Sequence, residues 1–481
     1  MTELARSLKT NLGEIYSPRA PQYVIWITIV LMAAVAIGLY SLGRAKYALL
    51  MPVAIAVFWL ICSPRVTFFL FIAALGIYMP QRITSTFAIH AFDVLMLILF
   101  MGMATDFLLR RRTEIRSTPF DWPFVILIVA TLVSAVFAHD PRYSVVPMIR
   151  IVVIYLAFRA VFKFALEIGV RRVLLFYIAM VSVLALYNIG LFIILGGQAR
   201  IFGLASLGFE TLAMIAVTMA LALMIWSERR WEKALLASAC LAIGLAIFAS
   251  QSRAPLVAII ISVPVLVLLA RTKAKRENAR QPLKTIKSIF VPFVLLAAIF
   301  VMFQSDFFAG ALGRYQSFVE SFSDPKGTVA LRLIQWSTAW TTFLDHSVTG
   351  IGIGNFRIVH DIYPDIRTVP LYYKVKGMSA HNVVLHYLAE TGLIGSLALL
   401  SLVWAGLRSG QRIYRTKWTY SNCGTAVALY TCMILIAVTF LYMRAWTWGQ
   451  GGYVMAVLFG LTAALHHQIG DNPDQPPRSI E

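Results

Sequence analysis

Ser379-Ala380-His381-Asn382-Val383-Val384-Leu385-His386-Tyr387-Leu388-Ala389-Glu390 marks the place where a long polar stretch turns into an apolar run. Upstream lies a polar island, residues 306–383. Downstream, residues 384–405 are apolar over the ~20 residues that a helix needs to cross the hydrocarbon core. The boundary is therefore read as the end of a loop and the start of a membrane span. A helix bundle does not need roughly eighty residues of loop to hold together, and loops of that length are usually functional.

Working outward, the same apolar signal recurs. Hydrophobic residues make up 59% of the chain and charged residues 13%, against about 25% charged in soluble domains. About fourteen windows qualify as spans by length and apolarity. They are 22–42, 45–62, 66–80, 88–109, 120–138, 145–166, 172–195, 205–226, 233–249, 253–270, 287–305, 384–405, 424–443 and 448–467. The third is short and has the length of a re-entrant segment. The fold class expected is an all-α polytopic membrane protein. The first apolar run, from residue 22, is followed by further spans and reads as an anchor. The expected organisation is a transmembrane bundle over 1–305, an external helical loop over 306–383, spans again over 384–467, and a polar, Pro-rich cytoplasmic tail over 468–481.

The formal net charge of +20 sits in short loops between spans. In that setting Lys and Arg report topology, so nucleic acid is not an expected partner. One alternating set of loops carries Arg110-Arg111-Arg112, Lys163, Arg171, Arg172, Arg229, Arg230, Lys273, Lys275, Arg276, Arg412, Arg415 and Lys417. The positive-inside rule makes this set cytoplasmic, together with both termini. The 306–383 loop and the turns at Arg200 and Arg253 then face outward, into the periplasm of a Gram-negative cell. The four cysteines, Cys62, Cys240, Cys423 and Cys432, show no metal-ligand spacing and read as packing residues.

Several outward-facing residues are candidates for chemistry. Arg253, in Ser250-Gln251-Ser252-Arg253-Ala254-Pro255, stands at an almost absent connection between two spans. A charge held at the membrane surface is a functional hypothesis by default; the alternative is a snorkelling arginine touching lipid phosphate. Ser252 is either a helper or a small turn residue. Arg332 lies in a helical-looking run with Leu333, Trp336 and Trp340, and either lines a cavity or is an ordinary solvated charge. Arg200, in Gln198-Ala199-Arg200-Ile201-Phe202-Gly203, is a third external arginine beside a span. Converging arginines suit a diphosphate, because guanidinium forks bind phosphate oxygens bidentately and stay charged. No Asp-x-Asp cluster stands on that face to hold a divalent metal, which favours arginine as the phosphate partner. Gly350-Ile351-Gly352-Ile353-Gly354-Asn355-Phe356 lacks the strand–loop–helix context of a nucleotide site and reads as a tight turn between two loop helices. His381 is either a general base or a capping histidine. His386 and Glu390, one turn apart, pair either for function or to fix helix packing.

Three blocks together resemble the O-antigen ligase/polymerase superfamily of bacterial membrane glycan transferases, the WaaL/Wzy type. They are Ser250-Gln251-Ser252-Arg253, the run from Arg332 through Trp336 to Gly350–Phe356, and Ala380-His381-Asn382-Val383-Val384-Leu385 continuing to Glu390-Thr391-Gly392-Leu393-Ile394-Gly395. The last block is the most specific, and Arg200-Ile201-Phe202-Gly203 is a weaker fourth. The resemblance implies a GT-C-like fold and metal-independent, cofactor-free transfer of a glycan from undecaprenyl diphosphate. By position it makes Arg253 and Arg332, and with them Arg200, the diphosphate ligands and His381 the base that activates the acceptor hydroxyl. Asn382, Ser252 and Glu390 are supporting residues. Phe209-Glu210 departs from the Asn-Pro-Asn-like stretch of many members, which bears on Arg200. The acceptor distinguishes a ligase, which uses lipid A–core, from a polymerase, which extends another lipid-linked repeat into O-antigen or exopolysaccharide. The single large loop favours the ligase. A lipid-linked oligosaccharide flippase fits less well, because the two halves show no pairing.

Overall fold

The computed structural model describes residues 50–77, 81–82, 88–110, 116–195, 206–250, 252–286, 328–359, 377–442 and 450–469. The expected spans 22–42 and 287–305, the residues around Arg200, and the tail beyond 469 lie outside the described residues. The chain divides into two compact units, Met1–Phe71 with Phe92–Ile115, and Ile72–Ala91 with Arg116–Glu481.

The first unit contains α1 (Leu50–Cys62), most of α2 (Pro64–Ala74) and most of α3 (Ala91–Arg110). Helices α1 and α2 meet at 110°. Pro64 cannot continue a helix from the preceding turn, since its ring removes a donor and clashes with the carbonyl four residues back. The windows 45–62 and 66–80, expected as separate spans, are thus two arms of one bent pair. Thr67 secures the bend by donating its hydroxyl to the Leu60 carbonyl at 2.6 Å. A two-residue ribbon, β1 (Gln81–Arg82) with β2 (Ala88–Ile89), is the sole strand pairing among the described residues.

The second unit contains α4 (Asp121–Val136), α5 (Pro141–Ile168), α6 (Val170–Ile194), α7 (Ser206–Trp226), α8 (Arg230–Ala249) and α9 (Arg253–Arg276). It continues with α10 (Thr328–Asp345), α11 (Val383–Arg415), α12 (Tyr420–Thr439) and α13 (Gln450–Gln468). Among the described residues eight helices are long and apolar enough to cross a membrane, and the α1–α2 pair would make nine. The protein is therefore a multi-pass α-helical membrane protein, and the count of fourteen is not reproduced within these residues.

Sequence hydrophobicity sorts these helices by depth. A helix apolar on every side has to be surrounded. Helix α7 is 89% buried over its apolar window, and α12 is 72% buried. Helix α13 is buried along almost its whole length and packs chiefly on α5. By contrast, α6 and α8 are about one third buried, and Val183, Ile194, Leu235 and Trp231 stand exposed on them as lipid-facing side chains would.

Polar contacts gather at the two ends of the bundle. At one end Arg159 pairs with Asp121 at 3.1 Å, and Arg171 pairs with Glu232. There Lys273 donates to the Thr416 carbonyl at 2.6 Å and meets Glu277 at 2.8 Å. These are segments that the positive-inside rule assigns to one face. At the opposite ends of α4 and α5 lie His139 and Asp140, which meet the glycine-rich turn described below.

Candidate active site

Helix α10 approaches the bundle with one side. Arg332, Gln335, Ala339 and Thr342 recur at helical spacing on that side; Gln335, Ala339 and Thr342 are buried and Arg332 half-buried. Ala339 packs in a small core with Ile351, Phe356, Val359, Ala380 and Ala389. One turn back, the Gln335 amide donates to the Met378 sulfur at 3.5 Å. Arg332 follows on the next turn. The sequence-derived helix around Arg332 therefore exists, and its inner side lies along the segment that carries His381.

His381 ends this segment with φ +51. That left-handed conformation is uncommon for a residue with a Cβ, although histidine is enriched there. It stores strain of the kind found at functional positions. The strain is sustained on both sides. Ala380 is fully buried before it, and Asn382 after it N-caps α11 by accepting the Leu385 N–H at 3.0 Å. The Val383 N–H donates to the Phe440 carbonyl at 2.7 Å, which ties the start of α11 to the turn after α12. Asn382 is thus a capping residue.

Helix α11 is not the continuous span expected over 384–405. Gly392 (φ 61, ψ −159) breaks it after Thr391. An intact helix would bond the Leu393 and Ile394 N–H groups to the Ala389 and Glu390 carbonyls. Instead the glycine-rich turn takes all four groups. Ile351 and Gly352 donate to the Ala389 and Glu390 carbonyls at 3.0 and 2.9 Å, while Leu393 and Ile394 donate to the Ser347 and Val348 carbonyls at 2.8 and 3.5 Å. A broken helix in an apolar setting persists only where its freed backbone groups are re-paired. Close approach explains the glycines. A Cβ on Gly350 would lie 2.2 Å from the Glu390 backbone, and one on Gly392 would lie 2.3 Å from the Val348 carbonyl. The expected tight turn is present, and its partner is the helix break.

Side chains complete the docking. Ser134 donates to the Glu390 carbonyl at 2.8 Å. Asn355 accepts the Asp140 N–H at 2.9 Å and donates to Ser144 at 3.1 Å. The Glu390 carboxylate accepts the Phe356 N–H at 3.1 Å and lies 3.3 Å from His386 Nε2. Both side chains of that pair are 1% exposed or less. This geometry favours the packing alternative for His386 and Glu390: Glu390 is a cross-link beneath the site. Nothing in the sequence singles out Ser134 or Ser144, because their partners lie over two hundred residues away (|i−j| of 256 and 209).

Arg332 carries no carboxylate partner among the described residues. Burial pushes its guanidinium below the ordinary arginine value, and the facing Tyr442 opposes that shift. Ser252 is buried at the N-terminal boundary of α9, the helix that begins with Arg253. The Arg253 side chain lies outside the described ones, but its backbone can be placed. Tyr414 and Lys273 bond across from the C-terminal half of α9 to the segment just before α12, and α9 packs on α12. The two helices therefore run antiparallel, and Ser252-Arg253 starts at the end of the bundle where α12 finishes beside Val383. The structure thus joins His381, Asn382 and Glu390 through the start of α11, puts Arg332 on the side of α10 that packs along the segment leading to His381, and sets the start of α9 at the same end. Arg200 lies outside the described residues. Among those residues no three His, Cys, Asp or Glu side chains gather as metal ligands.

No curated protein matches the chain. A family model described as Wzy_C, O-Antigen ligase, matches residues 238–400. The matched stretch runs from α8 through Arg253, Arg332, the glycine-rich turn and His381 to the helix break, and the match supports the likeness to the O-antigen ligase/polymerase superfamily.

Proposed function

We propose that the protein is a ligase-type membrane glycosyltransferase that moves a glycan from undecaprenyl diphosphate to a hydroxyl of lipid A–core at the periplasmic face of the inner membrane. The family match supports the coarser activity, a membrane glycan ligase or polymerase. One observation carries the finer reading. Arg332, half-buried and without a carboxylate partner among the described residues, stands on the helix side that packs along the strained His381 segment. A partly desolvated cation on the helix that packs along a candidate base's segment supports a transferase with an anionic leaving group.

In this reading the donor enters sideways from the bilayer. Arg332 and Arg253, with Arg200, hold its diphosphate and stabilise the charge that grows on it as the glycosidic bond breaks. His381 takes the proton from the acceptor hydroxyl as that oxygen attacks the anomeric carbon. Undecaprenyl diphosphate leaves, and a single displacement inverts the anomeric centre. Neither a metal nor a cofactor is needed in this scheme. Asn382 and Glu390 act by fixing the loop that carries His381, and Ser252 by starting the helix that carries Arg253.

The test uses purified protein in liposomes with undecaprenyl-diphosphate-linked repeat units, with and without lipid A–core. Glycan appearing only on lipid A–core is the expected result, and His381→Ala should abolish it while donor binding persists. A ladder of longer chains without lipid A–core would establish polymerase chemistry instead. Undiminished product from His381→Ala would remove the histidine as base.

A further inference from the structure

On α10 beyond Arg332, and on the segments that meet it, the structure leaves several buried polar groups unspent. Among the described residues, the Tyr442 hydroxyl, the Ser379 hydroxyl and the Trp336 indole N–H are each buried without a hydrogen-bond partner, as is the Gln335 amide oxygen. Ser379 is 4% exposed and Gln335 1%. Unpaired buried polar groups are rare and each calls for a reason. These come from three separate pieces of chain that the fold brings together. Trp336 lies one helical turn beyond Arg332 on α10. Ser379 adjoins Met378, the residue bonded to Gln335. Tyr442 ends the turn whose Phe440 carbonyl holds the Val383 N–H, and its phenol faces the Arg332 guanidinium electrostatically.

An arginine has only donors to offer, and so does an indole. Two hydroxyls and the Gln335 amide oxygen could accept from them, yet none does so among the described residues. Unspent O–H and N–H donors beside a partly desolvated cation complement a ligand that is rich in acceptor oxygens and negatively charged. A sugar, which brings as many donors as acceptors, fits less well. We propose that Tyr442 and Ser379, with Trp336, complete the Arg332 site as hydroxyl and N–H donors to a diphosphate, so that Tyr442 is a substrate-binding residue. The proposal deepens the transferase reading and rests on it. Tyr442 lies beyond the stretch matched by the family model. Burial supports the assignment by pushing the Tyr442 phenol up to about 12, which keeps its proton available for donation.

The shared chemistry is a phosphate anion on a lipid, either the polyprenyl diphosphate or a phospholipid headgroup. The full-length chain would be placed in phosphatidylcholine nanodiscs and titrated with undecaprenyl diphosphate, undecaprenol and phosphatidylglycerol. Wild type should prefer undecaprenyl diphosphate over both. Tyr442→Phe should weaken that binding about tenfold, equivalent to about 1.4 kcal/mol, and leave undecaprenol binding unchanged. Ser379→Ala should weaken it in the same direction, and provides the reading if Tyr442→Phe lowers the melting temperature. Tyr187→Phe, on an exposed face of α6, is the control that should bind as wild type does.

Equal diphosphate affinity for wild type, Tyr442→Phe and Ser379→Ala, with Arg332→Ala weakened, would overturn this proposal and leave the transferase reading standing. A loss in Tyr442→Phe confined to phosphatidylglycerol would also overturn it and make the ligand a headgroup. No preference of wild type for undecaprenyl diphosphate over undecaprenol would defeat both the proposal and the reading beneath it.

Discussion

Gly392→Ala is the most demanding test of how the site is held. The residue has φ 61 and ψ −159, a backbone region that is essentially glycine-only and costs other residues about 1–3 kcal/mol. A methyl group there would also sit 2.3 Å from the Val348 carbonyl oxygen and 2.7 Å from the Thr349 nitrogen. These are backbone atoms of the docked turn and cannot rotate aside. Relief requires the turn to retreat, which loosens the bonds from Leu393 and Ile394 to Ser347 and Val348, each a net contribution of about 1 kcal/mol. The combined loss is about 3–5 kcal/mol. Detergent-solubilised protein would be unfolded by graded denaturant under circular dichroism, and glycan transfer would be measured in liposomes on the same preparations. Transfer should fall even in the fraction that remains folded, because the turn and the His381 segment share one small core. Gly244→Ala supplies the contrast. Its added methyl meets nothing within 4 Å and needs no positive φ, so helix propensity should stabilise it by roughly 0.5–1 kcal/mol. If Gly392→Ala unfolds within about 1 kcal/mol of wild type, well short of the strain worked out above, the break is not the constraint described here.

Replacing His381 by glycine separates strain from chemistry: relief of the left-handed φ should raise stability by about 1–2 kcal/mol, while transfer is lost. A less stable His381→Gly protein would show that the ring supports the fold. Asn382→Ala removes the cap of α11 and should cost about 1 kcal/mol, with Asn382→Asp close to wild type; chemical denaturation of the pair checks this. Glu390→Gln keeps an acceptor for the Phe356 N–H, whereas Glu390→Leu leaves that buried donor unpaired at about 1–3 kcal/mol, so Leu should unfold well before Gln. Raised pH gives a further check. The Tyr442 phenol is raised in the folded protein to about 12, so the unfolded chain ionises first, and stability should decline as pH climbs from the ordinary tyrosine value of about 10. Tyr442→Phe should flatten that decline in a pH series of melting temperatures.

The membrane class is legible in the sequence because apolar run length is a local property. Within the described residues, helices occupy the apolar windows. Two members of the charge set that the positive-inside rule groups together, Arg171 and Lys273, meet partners at one end of the bundle. Local patterning likewise exposes Arg332 on a helix, the glycine run as a turn, and His381 at a boundary.

Apolar run length carries no information on pairing across distance. Hydropathy averages over the Gly392 break and over the 110° bend at Pro64 alike, because a broken helix is as apolar as a straight one. Glu390 reads as a site residue until Phe356 and His386 are seen to enclose it. Tyr442 and Ser379 carry no motif at all; the fold leaves their hydroxyls buried and unpaired among the described residues, Ser379 next to the residue that meets Gln335 of α10. The sequence by itself determined which segments leave water, since that depends on each segment's own transfer free energy. Only the tertiary structure decided which freed backbone groups the turn re-pairs and which buried hydroxyls stay unpaired among the described residues, because a hydrogen bond is a relation between two places in the chain.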